Sequence, residues 1–303
     1  MEASSVPSSV ALAHTAAGGV RQVVSDYVTL TKPKVQSLLL LTTVCSMEVA
    51  GDPSIGLIAL TVLGGYLAAG GAGAVNHYFD RDIDALMPRT ANRPVPAGRI
   101  APRAALVYGI VLATLSFALL TSTVNLLAAA LALTGFLGYV FVYTVWLKRR
   151  TPQNIVIGGA AGAVPPLVGW AAVTGGLGGM PLYLFAIVFF WTPPHFWALS
   201  LLMKKEYERV GVPMLPVVRG EQETRRQILL YAILLWAVTQ LPFCAGGLGV
   251  IYLVSSLVLG GLLIGGAAVL YRRADRRSAL RLYLFSLLYL ALLFGAMVVD
   301  VKL

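Results

Sequence analysis

Nine apolar stretches, each about as long as a bilayer is thick, alternate with connections whose basic residues fall on one side only. That alternation leaves a membrane-spanning helical bundle as the fold. Hydropathy puts the spans at roughly 28–50, 54–77, 103–122, 125–146, 155–174, 181–203, 227–246, 249–271 and 280–299. With this count, Arg21, Lys32 and Lys34 share one side with Arg81, Arg89, Arg93, Arg99 and Arg103. Lys148, Arg149 and Arg150 fall there too, as do Lys204, Lys205, Arg209, Arg219, Arg225, Arg226, Arg272, Arg273, Arg276, Arg277 and Arg281. Lys302 alone lies opposite. One span fewer would scramble the segregation. The expected fold class is an all-α membrane protein, nine transmembrane helices in a single bundle around a central cavity, with the N-terminus cytoplasmic.

Composition narrows the function. Hydrophobic residues at 58% and charged residues at 12% suit a polytopic membrane protein with no large aqueous domain. The formal charge of +10 follows from the one-sided loops and from phosphate binding, so no nucleic-acid surface is expected. Residues 1–24 lack the basic start and apolar core of a signal peptide and read as a disordered cytoplasmic tail ahead of one domain over 25–303. Cys45 and Cys244 both fall toward the outer side, and spacing alone does not decide whether they pair.

Polar residues appear abruptly where the second span surfaces, in Asn76-His-Tyr-Phe-Asp80-Arg-Asp-Ile-Asp84, with Arg89 and Arg93 behind. Asn76, Asp80 and Asp84 recur every four residues. Each step of four overshoots a full helical turn by about 40°, so the three share one face within about 12 Å of axis. Two carboxylates and an amide oxygen are hard ligands suited to Mg²⁺, and arginine forks suit phosphate oxygens. An acidic helix end neutralised by arginines is the plainer reading, but ionisable groups at a membrane edge favour a site. Asp82 points elsewhere and is expected to orient an arginine; His77 is also off that face. Gly64, Gly65, Gly70, Gly71 and Gly73 should hold this helix hard against its neighbours.

His195 lies in Phe189-Phe-Trp-Thr-Pro-Pro-His-Phe-Trp197, where Pro193 and Pro194 are expected to break the sixth span. Residue chemistry leaves two readings open, a hydrogen-bonded core histidine and the wall of a pocket for a flat apolar ligand. Lys204, Lys205 and Tyr207 mark either the membrane interface or a second polar helix end facing the same cavity. Lys148 and Asn154 open another helix on that side and join the candidates. Lys32 and Lys34 read as interfacial anchors or as attractors of an anionic substrate.

The motif Asn76-x-x-x-Asp80-x-x-x-Asp84, followed by Arg89-x-x-x-Arg93-Pro, resembles the UbiA superfamily of intramembrane prenyltransferases. Within it, the string from Asp80 to Pro94 is similar to the haem-farnesylating branch. So are Lys148-Arg-Arg-Thr-Pro-Gln-Asn154, Thr192-Pro-Pro-His-Phe-Trp197 and Gly211-Val-Pro-Met-Leu-Pro-Val-Val218. The resemblance runs from about Tyr27 through the ninth span. It implies transfer of a farnesyl group from farnesyl diphosphate to a vinyl group of haem B, with water added, giving haem O and pyrophosphate. It implies Asp80, Asp84, Arg93, Lys204 and Tyr207 as catalytic residues, and Asn76, Arg89, Lys148, Asn154, His195 and Lys205 as substrate-binding. Mg²⁺ would sit on Asn76, Asp80 and Asp84. The implied setting is a bacterial plasma (inner) membrane with a cytoplasmic-side active site, lipid around it, and haem A synthase or a terminal oxidase under assembly as partners. One departure is informative: Met203-Lys-Lys-Glu-Tyr207 stands where relatives acting on phenolic acceptors carry a second D-x-x-x-D, and the haem branch shares that replacement. The competing readings are a superfamily member with another acceptor, a quinone precursor or chlorin, and a non-enzymatic haem or lipid transporter.

Overall fold

Proline and short polar side chains mark where the helices begin. Pro33 and Pro102 stand in the first turn of theirs, where a missing N–H costs nothing. Ser54, Asn125 and Asp275 cap theirs by accepting from the N–H three residues on, at 3.2, 2.8 and 2.6 Å. The structure, a computed structural model, describes residues 9–303, with side chains from residue 19 onward. Its helices are α1 (Ser9–Leu30), α2 (Pro33–Ala50), α3 (Ile55–Phe79), α4 (Arg81–Leu86), α5 (Pro102–Thr123), α6 (Leu126–Leu137), α7 (Asn154–Gly162) and α8 (Val164–Thr174). There follow α9 (Gly179–Leu202), α10 (Lys204–Arg209), α11 (Leu215–Val218), α12 (Gly220–Val238), α13 (Leu241–Cys244), α14 (Val250–Arg273) and α15 (Arg276–Lys302). Gly138–Leu147 prolongs α6 as a π-helix.

Among the described residues, eight segments are long and apolar enough to cross a membrane: Ile55–Phe79, Pro102–Thr123, Leu126–Leu147, Asn154–Thr174, Gly179–Leu202, Gly220–Cys244, Val250–Arg273 and Arg276–Lys302. The chain is an all-helical integral membrane protein, and these match the last eight expected spans. The helix expected as the first of nine, α2, is not among them. Its Gln36, Thr42, Thr43 and Ser46 lower its hydropathy, yet all four are buried against protein, and Ser46 Oγ donates to the Pro166 carbonyl at 2.7 Å. α1 begins at Ser9, inside the stretch expected as a tail over 1–24; residues 1–8 lie outside those described.

The chain closes on itself: α15 packs against α14 and α9, and also against α2 at the other end of the sequence. Small residues set the tightest approaches. A Cβ on Gly71 would lie 2.6 Å from the Gly109 carbonyl oxygen, so α3 and α5 meet backbone to backbone. Ser116 Oγ fastens that pair by donating to the Gly64 carbonyl at 2.7 Å. Through these contacts α3 delivers Asn76 and Asp80 at a fixed height. A Cβ on Gly169 of α8 would overlap the Thr43 carbonyl oxygen of α2, where no flexible side chain can yield. Gly169→Ala is therefore expected to destabilise the bundle by about 1–3 kcal/mol. Gly261→Ala, facing open space, should not. Thermal unfolding of both variants in detergent checks the contrast.

The break expected at Pro193 and Pro194 is absent: α9 runs unbroken from Gly179 to Leu202 through both prolines. They are buried among neighbouring helices, which supply the packing that an isolated proline-bearing helix would lack. Cys45 is buried and Cys244 exposed, and both are free thiols.

Candidate active site

Where α3 gives way to α4, Asp80 leaves helical geometry (φ −91°, ψ 3°), yet Asp84 N still donates to the Asp80 carbonyl at 2.8 Å. The four-residue step is thus preserved across the joint. Asn76, Asp80 and Asp84 are 3, 1 and 3% exposed. Carboxylates so enclosed need partners. Asn76 Nδ2 donates to Asp80 Oδ2 at 2.7 Å, and Lys148 Nζ pairs with the same oxygen. Arg93 Nη1 lies 2.7 Å from Asp84 Oδ2. Asp80 Oδ1 is buried with no hydrogen-bond partner, and Arg149 Nη2 stands 3.8 Å from it.

The π-helix brings the fourth wall. Its widened turn lets Lys148 N donate to the carbonyl of Tyr143, five residues back, at 2.9 Å. That register puts Thr144 Oγ1 at 3.1 Å from Asn76 Nδ2 and carries Lys148 to Asp80. Asn154 steadies this corner, its Nδ2 donating to the Thr151 carbonyl at 2.8 Å and the Lys148 carbonyl at 3.4 Å. From the α1–α2 joint comes Lys32, held in a left-handed conformation (φ 54°) ahead of Pro33. Its Nζ donates to Asn76 Oδ1 at 2.6 Å and to the Tyr139 hydroxyl at 3.4 Å.

Other candidates lie farther out. Asp82 does orient an arginine: Arg149 binds it through both Nη atoms, at 2.7 and 2.6 Å. That bonding holds the Asp82 carboxyl down at about 2. A depressed carboxylate contributes stability above its unfolded value of about 4. The Asp82 contribution is lost as pH falls from about 4 through about 2, so the pH–rate profile between pH 6 and 4 should be the same in Asp82→Asn as in the wild-type protein.

Tyr207 is half-buried on α10, within electrostatic reach of Arg89, Arg93 and Asp80. Burial pushes its hydroxyl above the ordinary value, so it stays a proton donor at neutral pH. Beside it, Glu206 Oε2 is buried without a partner. Lys204 turns to Glu221 at 3.3 Å and Glu208 at 3.7 Å, and Lys205 and Arg89 are exposed. His195 is 6% exposed, its Nδ1 2.7 Å from Ser286 Oγ on α15 and its ring stacked on Trp191 and Tyr283 at 4.4 and 4.9 Å between centroids. Among the described residues, then, the structure unites Asn76, Asp80, Asp84, Arg93 and Lys148, with Tyr207 nearby. It does not join Lys204, Lys205 or His195 to them by any hydrogen bond.

No group of three or more His, Cys, Asp or Glu side chains placed to hold a metal occurs among the described residues. The donor set is instead two carboxylates and an amide. The unpartnered Asp80 Oδ1 amid these oxygens fits a hard divalent cation. Of two open clefts of about 430 and 400 Å³ that share Tyr78 and Arg81, the larger is lined by Thr144 and Arg149 and adjoins the site. Sequence reasoning missed Tyr139, Thr144 and Glu206 and left Lys32 undecided.

The model of the UbiA prenyltransferase family matches residues 38–293. The chain is 56% identical to a protoheme IX farnesyltransferase of Roseiflexus sp. (strain RS-1), over 93% of this chain and 53% of that one. It is 56% identical to that of Thermus thermophilus, over 91% and 46%. It is 54% identical to that of Symbiobacterium thermophilum, over 92% and 95%. The chain thus spans about half the length of the first two and nearly all of the third. In fold it resembles a digeranylgeranylglyceryl phosphate synthase (TM-score 0.76, 19% identity, 92% of this chain and 99% of that one). It also resembles a UbiA homolog from Archaeoglobus fulgidus solved with GPP and Mg²⁺ (TM-score 0.68, 17% identity, 90% and 99%).

Proposed function

The chain belongs to the UbiA prenyltransferase family, and on that premise we propose that it transfers a farnesyl group from farnesyl diphosphate to a vinyl carbon of haem B, with water added, giving haem O and pyrophosphate. The observation that carries the diphosphate half is Asp80 Oδ1, a buried carboxylate oxygen left without a partner inside a ring of Lys32, Arg93, Lys148 and Arg149. A site built this way suits a ligand that is itself highly anionic and arrives with a cation. The acceptor rests on the relatives, which are protoheme IX farnesyltransferases.

The chain's own residues divide the work. Asn76, Asp80 and Asp84 would hold magnesium, which when bound supplies positive charge to the leaving diphosphate. Lys32, Lys148 and Arg93 lie where their charges can pass to the departing pyrophosphate, the place where negative charge grows as the allylic C–O bond ionises. Tyr207, protonated at neutral pH, can donate to the same oxygens. Apolar helices around the farnesyl chain exclude water until the vinyl carbon has attacked the allylic cation. Water then adds through its oxygen to the new cation beside the porphyrin and loses one proton to solvent, leaving a hydroxyl. No carboxylate base is needed for that ending. For His195, the Ser286 bond at Nδ1 fixes the ring and leaves Nε2 for iron.

In this reading α2 is the first of nine crossings, the N-terminus is cytoplasmic, and the site opens to the cytoplasmic side of a bacterial inner membrane. Haem A synthase or a terminal oxidase under assembly would receive the product. The test is reconstitution of purified protein with haem B, farnesyl diphosphate and Mg²⁺. Haem mass should rise by one farnesyl group plus one hydroxyl, with pyrophosphate released in equal amount. Transfer to a quinone precursor or chlorin with haem left unchanged would reassign the acceptor, and haem movement without pyrophosphate release would end the enzyme reading.

A further inference from the structure

The connection bearing Arg89 and Arg93 runs from Met87 to Ala101 between α4 and α5, with no regular helix or strand of its own. Its first half is tied directly to the site: Thr90 Oγ1 donates to the Asp84 carbonyl at 2.8 Å, and Arg93 pairs with the Asp84 carboxylate. Its second half is tied to α1 instead. Arg99 Nε donates to Asp26 Oδ2 at 2.9 Å and to Oδ1 at 3.2 Å, and its Nη2 donates to Oδ1 at 3.1 Å. The same Nη2 reaches back 3.1 Å to the carbonyl of Asn92, the residue before Arg93.

Exposed ion pairs contribute little as a rule, because two mobile side chains must be ordered in water. This one differs in two respects. The fork is bidentate, and Asp26 is 4% exposed although α1 around it presents Val20, Val23, Val24 and Val28 outward. Beneath the pair, Val95 and Ile100 of the connection are buried with Leu30, Ala74 and Ala105. One guanidinium thus joins the α1 helix, the far end of the connection and the backbone that leads into Arg93.

We propose that Asp26 and Arg99 form a positioning clamp that holds the arginine-bearing connection in register over Asp80 and Asp84, making α1 a working part of diphosphate binding. The proposal rests on the reading above only for what Arg89 and Arg93 bind. Neither clamp residue touches the reacting atoms. Their effect is on the geometry in which Arg93 meets its ligand, where small misplacements are costly. The Arg99 guanidinium holds the Asp26 carboxyl below the usual carboxylate range, so the pair keeps its charge throughout the neutral range.

Two conservative variants test this, Asp26→Asn and Arg99→Gln. Amide hydrogen exchange of residues 87–101, measured without substrate, should quicken about tenfold in either. The KM for farnesyl diphosphate should rise about tenfold, with kcat within about threefold and the KM for haem unmoved. Arg99→Lys, which keeps the charge and loses the fork, should fall between wild type and Arg99→Gln. Unchanged exchange in both variants overturns the clamp. Faster exchange with an unchanged farnesyl diphosphate KM overturns its link to the diphosphate. If wild-type protein turned over no prenyl diphosphate at all, the enzyme reading would fall, and the exchange measurement would still decide whether the clamp exists.

Discussion

Asp80→Asn is expected to lower kcat by about 10³-fold or more with the helical bundle still assembled, because several interactions converge on one carboxylate. Its Oδ2 accepts from Asn76 and pairs with Lys148, while its Oδ1 is the unpartnered oxygen offered to a metal. An amide there keeps the shape, removes the charge and turns a donor toward either Lys148 or Asn76. Lys148 would lose its close counter-ion in a largely enclosed place, so a lower thermal midpoint is expected too. Asp82→Asn is the control two residues on. That carboxylate is 60% exposed and bonded to Arg149, and its loss should cost less than about tenfold. Pyrophosphate release at saturating farnesyl diphosphate, across a magnesium titration, gives the rate. Far-ultraviolet circular dichroism gives the assembly. If Asp80→Asn retained more than about a tenth of wild-type turnover, Asp80 would leave the proposed metal shell.

How far these features could be read from residues alone depends on which periodicity governs them. The last eight spans were legible because lipid demands long apolar runs and the loops carry their charge on one side. The Asn76, Asp80, Asp84 face was legible because ordinary helical spacing survives the joint at Asp80. Of the wall that the π-helix brings, Lys148 was legible, and Tyr139 and Thr144 were not. Those two are five residues apart, a step of about 140° on an α-helix that the wider π-helical turn shortens. The two prolines of α9 point to a break on residue type, yet the helix stays continuous and both are buried. Lys32 was ambiguous because its inward turn depends on a left-handed backbone angle that no pattern of residue types announces. The Asp26–Arg99 pair spans 73 positions between two segments that look like ordinary flank and loop. The packing of Leu30 in one cluster with Val95 and Ile100 brings them together.

His195→Ala is expected to weaken haem binding by at least about tenfold while leaving the KM for farnesyl diphosphate unchanged. The separation follows from geometry. His195 is bonded and stacked within α9 and α15, and no hydrogen bond joins it to the aspartate cluster among the described residues. A metal-ligating imidazole has its second nitrogen held by a neighbour, which fixes both tautomer and ring plane. Ser286 stands in that position, and its Oγ is itself oriented by donating to the Tyr283 carbonyl at 2.7 Å. Ser286→Ala should therefore reproduce part of the loss, a few-fold weaker binding, with the imidazole still present. Titration of haem B into the purified variants, followed by its absorption spectrum, distinguishes the two roles His195 could have. A ligand to iron predicts a shifted Soret band in His195→Ala, and a mere packing residue predicts weaker binding with the band in place. Unaltered haem affinity in His195→Ala would remove this residue from the acceptor site, and the search would move to the aromatic residues stacked around it.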